Sequence, residues 1–245
     1  MYRFFVEKEQ IGDKTIRIIG TDVNHIKNVL RMKPGEEILI SDGEKKEYHC
    51  EITALDSDYV EAGIMFVKEE GLELPSKVYL FQGLPKNDKM ELIIQKAVEL
   101  GVYAVVPMAT KRAVVKLDDK KEAKKLARWQ SIAESAAKQA KRLIIPEVMP
   151  VMSFKEAVAF AKTLDIRLMP YELAENMAYT REVLAKIEPG QSIGIFIGPE
   201  GGFAEEEVEL ALNSQMETIT LGKRILRTET AGMTVLSILM YLLEP

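Results

Sequence analysis

Apolar and polar positions alternate with a period of two through residues 1–72. FFVE, TIRIIG, EEILISDG, YHCEITAL and YVEAGIMFV follow that rhythm, and turn residues such as Ser41-Asp42-Gly43 and Leu55-Asp56-Ser57-Asp58 separate them. Successive side chains of an extended chain point to opposite faces, so the pattern predicts half-buried strands in a small antiparallel barrel or sandwich. One short helical stretch, Asn24 to Met32, interrupts it before Lys33-Pro34-Gly35 stops it. Residues 69–76 read as a linker.

Beyond residue 76 the period changes. Lys77 to Gln82 reads as a buried strand. Asp88 and Glu91 have capping-box spacing, and Met90, Ile93, Ile94, Ala97 and Val98 then share one helical face. Gly101 ends that helix and Val102 to Pro107 forms the next strand. A second helix is expected from Asp119 to Arg142, with Leu126, Trp129, Ile132, Ala133, Ala136 and Ala140 as its apolar face. Ser153 and Glu156 form another capping box. Further strands are expected at Ile166 to Tyr171, Ser192 to Ile197 and Thr218 to Leu221. Strands alternating with helices predict a mostly parallel α/β sheet. Residues 222–231 read as a long polar turn. Met233 to Leu243 is apolar nearly all round, so a helix there must be buried in its own domain or against a second copy.

Composition narrows the classes. A single cysteine, Cys50, allows no internal disulfide and fits a reducing cytosol. No apolar block is long enough to span a membrane, and the first residues are not built like a signal peptide, so a cytoplasmic protein is expected. Cys50 reads as a half-buried strand residue. The formal net charge of −5 hides an asymmetry. Residues 110–142 hold 11 Lys/Arg against 4 Asp/Glu, while residues 1–72 hold 10 against 15 and residues 143–245 hold 8 against 15. A basic segment within an acidic chain is a candidate anion-binding face. A solvated helix surface has the same composition.

One stretch of chemistry stands out. FIGPEGGF, residues 196–203, lies between a predicted strand and a predicted helix, where a glycine-rich turn commonly cradles phosphate. Its Glu200 would repel a pyrophosphate, and the pattern is neither G-x-G-x-x-G nor G-x-x-x-x-G-K-[ST]. An acidic, backbone-lined turn suits a neutral or cationic ligand, such as a nucleoside bearing a sulfonium. Glu205, Glu206 and Glu207 complement the following helix dipole. No H-E-x-x-H, G-x-S-x-G or C-x-x-C occurs, and no metal is expected. His49 reads as a packed or solvated side chain.

Three motifs together are more specific: GPEGGF at 198–203, LGKRILRTETA at 221–231 and HIKNVLRM at 25–32. With GLPKNDKMELIIQKAVELGV at 83–102 and KQAKRLIIPEV at 138–148, they make the chain closely resemble the RsmE family of 16S ribosomal RNA uridine methyltransferases, of the SPOUT class. The run at 138–142 departs from an E-Q-S-G-R-like pattern of relatives, matching it at Gln139 and Arg142. The resemblance implies a PUA-like β-barrel over residues 1–72 that helps grip RNA. It implies an α/β domain over residues 73–245 whose last part forms a trefoil knot, with the final helix in a homodimer interface. S-adenosylmethionine would sit in the knot, held by three loops. These contain Tyr171, Glu172 and Leu173; Ile197, Gly198, Pro199, Glu200, Gly201 and Gly202; and Leu221, Gly222, Ile225, Leu226, Arg227, Thr228, Thr230 and Ala231.

The implied reaction is methylation at N3 of a uridine in 16S ribosomal RNA of the small subunit. Uracil N3 must lose its proton, and charge must spread onto O2 and O4. Glu200 or Glu229 could accept that proton, and Arg142 or Arg227 could stabilise the developing charge. Glu229 could instead cap the last helix, and Arg227 could bind phosphate. RNA contacts are expected from Lys111, Arg112, Lys124, Lys125 and Arg128 in the basic segment, with Lys120 and Lys121 beside them. His25, Arg31, Gln139 and Arg142 are added by the family motifs. A SPOUT enzyme acting on another RNA, such as a transfer-RNA ribose, fits much of the same pattern. An RNA-binding relative without catalysis and a nucleotide enzyme on an ordinary Rossmann sheet are the other classes. Intact GPEGG and RTETA oppose the first, and the absent phosphate fingerprint opposes the second.

Overall fold

The computed structural model describes residues 1–44, 46–68, 72–174 and 176–244. The linker expected at 69–76 lies partly outside them. The chain divides into two compact units, residues 1–73 with 137–145, and residues 74–136 with 146–245.

The first unit is built on strands β1 (Tyr2–Phe5), β2 (Thr15–Ile19), β3 (Glu37–Ser41), β4 (Glu47–Leu55) and β5 (Tyr59–Lys68). They form a curled, half-barrel sheet in the order β1-β3-β4-β5-β2, antiparallel except for the β1–β3 pair. The period-two pattern is the cause. On β2, Ile16 and Ile18 are buried while Thr15, Arg17 and Ile19 are exposed. Phe4, Ile38, Ile40, Cys50, Ile52, Val60 and Ala62 join them in one core. Cys50 is fully buried rather than half-buried, and burial pushes its thiol up to about 12. The helical interruption is α1 (Thr21–Asn24), continued by a wide π-helical turn, His25–Val29.

A polar clasp fixes residues 137–145 to this unit. The buried Arg3 guanidinium donates to the carbonyls of Lys141 and Arg142 and pairs with Glu47. The Arg142 guanidinium pairs with Glu73, whose Oε1 also accepts the Leu143 amide at 2.8 Å. The Ser41 hydroxyl donates to the Leu143 carbonyl at 2.6 Å.

The second unit carries β6 (Lys77–Gly83), α2 (Lys89–Glu99), β7 (Ala104–Ala109), α3 (Asp119–Gln139, its end in the first unit), β8 (Glu147–Val148), β9 (Met152–Ser153) and α4 (Phe154–Ala161). β10 (Ile166–Pro170), α5 (Met177–Leu184), β11 (Ser192–Ile197), α6 (Glu205–Asn213), β12 (Glu217–Ile219) and α7 (Thr228–Leu243) complete it. The strands form one parallel sheet in the order β12-β10-β11-β6-β7-β8, with β9 also paired to β7. Both faces of such a sheet are covered, which explains the continuous apolar runs of its strands. α7 packs on α2 and β11, so the chain returns from the β12 edge to the middle of the sheet. A knotted C-terminal segment needs such a return.

Four local expectations change or sharpen. The Asp88–Glu91 capping box does not form: Asp88 makes no side-chain cap, and Glu91 Oε2 lies 3.1 Å from Arg128 Nη2 on α3. The Ser153–Glu156 box does form, with the Ser153 amide donating to Glu156 at 2.8 Å. α3 ends at Gln139, and Lys141 then turns to a left-handed φ of 58°. α7 starts at Thr228, so the end of the LRTETA run is its first turn and not loop.

Candidate active site

A cleft of about 390 Å³ opens in the second unit at the carboxyl ends of β10, β11 and β12. Open parallel sheets place ligands at strand carboxyl ends, where loops are free to vary. Three loops line it: Pro170 to Glu172, Ile197 to Phe203 without Gly201, and Thr220 to Thr228, with Ala231 and Lys89 alongside. The three loops expected to converge therefore do so. Leu173, Gly201 and Thr230 do not line the cleft; Leu173 is 71% exposed. A Cβ on Gly201 would point at Arg112, 3.3 Å away, and not into the cleft.

Small residues and one buried hydroxyl fix the loops. The Thr228 hydroxyl donates to the Gly198 carbonyl at 2.6 Å and accepts from Gln82 Nε2 at 2.8 Å. It thereby ties the start of α7 to the glycine turn and to β6. Gly83 is a close-approach glycine: a Cβ there would lie 2.6 Å from Pro199 Cδ and 2.7 Å from its nitrogen. Gly202 has φ +67°, a conformation that favours glycine.

Glu200 turns away from any phosphate-loop role. Its carboxylate accepts the Lys86 amide at 3.2 Å and the Lys89 ammonium at 2.9 Å. Partial burial acts to raise this carboxyl, but the Lys89 bond and backbone amides outweigh it and hold it below the usual range. Lys89 is correspondingly raised, chiefly by its hydrogen bond to Glu200. Lys89 Nζ also lies 3.5 Å from Glu229 Oε2, which is buried and accepts no hydrogen bond. Glu229 stands behind Lys89 in the first turn of α7 and does not line the cleft. Arg227 is exposed on the cleft wall as the N-cap of α7.

Lys89, Pro170, Phe203 and Thr220 line the cleft without having been expected there, and Lys223 and Arg224 line it from within the expected loop 221–231. Lys89 lies within the GLPKNDKMELI motif, whose resemblance is a usable signal. The others are close neighbours of expected residues.

The remaining candidates do not line the cleft. Arg142 is 4% exposed, engaged by Glu73 and absent from the cleft wall. Drawing it out to a phosphate or a uracil would leave the Glu73 carboxylate without its guanidinium, a cost that weighs against either role expected of it. His25 packs edge-on to Phe4 with ring centroids 6.2 Å apart, and Arg31 is exposed with φ 55°. His49 stacks on Phe66 and meets Glu47 at 3.0 Å, a packed side chain as expected. Lys111 pairs with Glu206, Lys125 with Asp88, and Arg128 with Glu91. Arg112 donates to the Gly201 carbonyl at 3.2 Å. Lys124 and Gln139 are exposed on α3. Among the described residues no His/Cys/Asp/Glu group could hold a metal, and no helix is long and apolar enough to cross a membrane.

Residues 72–240 match the family described as RNA methyltransferase domain, and residues 18–65 match the RNA methyltransferase PUA domain. A ribosomal RNA small subunit methyltransferase E from Bacillus subtilis is 41% identical over 100% of this chain and 98% of its own length. Its namesake from Mesomycoplasma hyopneumoniae is 34% identical over 97% and 98%. A crystal structure of the Neisseria gonorrhoeae enzyme of that name, bound to S-adenosyl methionine, superposes with TM-score 0.85 at 34% identity, covering 99% of this chain and 98% of that one. A putative methyltransferase from Legionella pneumophila with bound cofactor SAM gives TM-score 0.86 at 32% identity, covering 98% and 97%. This chain therefore belongs to the RNA methyltransferase family that includes ribosomal RNA small subunit methyltransferase E.

Proposed function

We propose that this chain transfers a methyl group from S-adenosylmethionine to N3 of one uridine in 16S ribosomal RNA. The convergence of the three motif loops on one cleft carries the proposal. The cleft volume falls in the usual range for small-molecule sites, roughly 300–1,000 Å³. Pro170, Ile197, Leu226 and Ala231 offer apolar wall to a purine, while the backbone of 198–202 and 220–226 offers polar groups at glycine-level clearance. Glu172 supplies a carboxylate at the edge for hydroxyl or ammonium groups. When bound, the cofactor supplies an electrophilic methyl group.

Arg227 is the residue we assign to the reaction. N3 is nucleophilic only as the uracil anion, whose charge resides on O2 and O4, and a guanidinium on the cleft wall lowers the cost of that anion. The geometry disfavours both glutamates as base. Glu200 is held ionised below its usual range, which weakens it as a proton acceptor, and Glu229 is shielded by Lys89. The N3 proton then leaves through the open mouth to water. We further propose that residues 1–72 grip RNA, that residues 73–245 carry the chemistry on a knotted segment, and that two copies pair through α7. Exposed Tyr241 and Leu242, at 83% and 45%, support that pairing.

Arg227→Ala should lower single-turnover methyl transfer about a hundredfold with saturating donor and RNA, in line with loss of one oxyanion donor. Glu229→Gln should retain its rate within about tenfold. If Arg227→Ala instead keeps its saturated rate and loses RNA affinity, Arg227 is a phosphate contact. If Glu229→Gln abolishes transfer while binding both ligands, Glu229 is the base.

A further inference from the structure

Cations on this protein differ in whether a carboxylate already engages them. On α3 and the loop before it, Lys111, Lys121, Lys125 and Arg128 each have a carboxylate within 4.0 Å. The field of these four is partly offset at source, while Lys120 and Lys124 on the same helix are exposed and form no ion pair among the described residues. The loop between β12 and α7 differs. Lys223, Arg224 and Arg227 are exposed, line the cleft, and form no ion pair among the described residues. Of the two carboxylates that line the cleft, Glu200 is engaged by Lys89, and Glu172 forms no ion pair among the described residues. Between Arg224 and Arg227 stands Ile225, 84% exposed, the most exposed large apolar side chain among the described residues.

An apolar tip flanked by unopposed cations is poorly explained as a cofactor contact. Ile225 borders the cleft, yet at 84% exposure most of its side chain faces solvent. It is well explained as a contact to single-stranded or looped RNA. Phosphates need cations that are not already neutralised. A uracil whose N3 must enter a cleft has to leave its stack first, and aliphatic side chains act as wedges between base steps. Gly222, at φ +111° with nothing within 4 Å of a Cβ, allows the tip to project.

We infer that Lys223, Arg224 and Ile225 form the substrate-engaging tip of the active site, the two cations holding phosphates beside the target uridine and Ile225 filling the gap that the extruded base leaves. The wedge role rests on the methyltransferase reading above; the phosphate role does not, because RNA binding is measured without donor or turnover.

The experiment uses full-length protein and a 16S ribosomal RNA fragment containing the methylated position, with RNA affinity measured across a salt series. Lys223→Glu/Arg224→Glu should weaken binding and make the slope of log affinity against log salt shallower by roughly 1.4, about 0.7 for each single-strand phosphate that is no longer neutralised. Its melting temperature should stay within a few degrees of wild type, as for other exposed positions. Lys124→Glu/Lys125→Glu/Arg128→Glu should change the slope less. The reverse ranking would overturn the phosphate role and return RNA grip to α3. For Ile225, 2-aminopurine is placed beside the target uridine. Wild type should raise its fluorescence on binding, Ile225→Ala should not, and Ile225→Leu should restore the signal. A full signal with Ile225→Ala overturns the wedge role. So does a variant that binds RNA normally but loses donor affinity, since Ile225 would then be a cofactor contact. Failure of wild type to methylate any 16S uridine would sink the enzymatic reading while leaving the salt-slope result intact.

Discussion

At the scale of single residues, the cleft depends on one missing methyl group and one lysine. Gly83 lies at the end of β6, and an alanine there would put Cβ 2.6 Å from Pro199, against backbone as well as ring. The glycine turn must then shift. Gly83→Ala should weaken S-adenosylmethionine binding by tenfold or more in calorimetry, while far-ultraviolet circular dichroism stays native. Unchanged affinity would show that the turn does not touch the donor. Lys89 gives a pH prediction. Its bond keeps the Glu200 carboxyl below the usual range, so the link exists above that lowered value and is lost as pH falls through it. Wild-type donor affinity should therefore hold as pH falls from 8 to the ordinary glutamate value of about 4.3. In Lys89→Met, burial acts on Glu200 without its main counter-charge, and the fall should begin at higher pH. Superimposable pH profiles for the two proteins would remove Glu200 from loop positioning.

At the scale of elements, the clasp on residues 137–145 is the clearest case of a sequence motif with a structural use. Gln139 and Arg142 of KQAKRLIIPEV are expected from resemblance to contact RNA, yet Arg142 is buried with Glu73, and Arg3 holds the carbonyls of Lys141 and Arg142. Removing one partner of a buried ion pair costs about 3–5 kcal/mol, far more than an exposed pair. Arg142→Ala should lose stability on that order in urea denaturation, with donor affinity in the folded protein unchanged. A loss below about 1 kcal/mol would mean the pair is effectively a surface one. Much of the element pattern is legible in the sequence. The strands at 77–82 and 192–197 and the apolar face of α2 follow from periodicity, because both faces of a parallel sheet are buried. The short strands β8 and β9, and α5, are not legible; two-residue pairings leave no period to read. The start of α7 is hidden because Thr228 and Glu229 look polar. The sequence cannot show that Thr228 is buried against Gln82 and Gly198. Ion pairing across elements, as between Arg128 and Glu91, is equally invisible.

At the scale of the whole molecule, a chain of net charge −5 has to bind an anion. Unopposed cations at the cleft mouth solve this locally, and the acidic remainder limits unspecific RNA contact. Pairing of two copies through α7 would cover Tyr241 and Leu242. Tyr241→Glu should shift the protein from dimer to monomer in light scattering, whereas a wild type already monomeric at micromolar concentration would remove the pairing. The central claim is the identity of the reaction. Unmethylated 16S ribosomal RNA, as naked RNA or as small subunits, should be incubated with the protein and methyl-deuterated S-adenosylmethionine, then digested to nucleosides for mass spectrometry. Label is expected on a single species, N3-methyluridine, at a rate reduced about a hundredfold by Arg227→Ala. Label on a ribose, on another base, or on no nucleoside at all would contradict it.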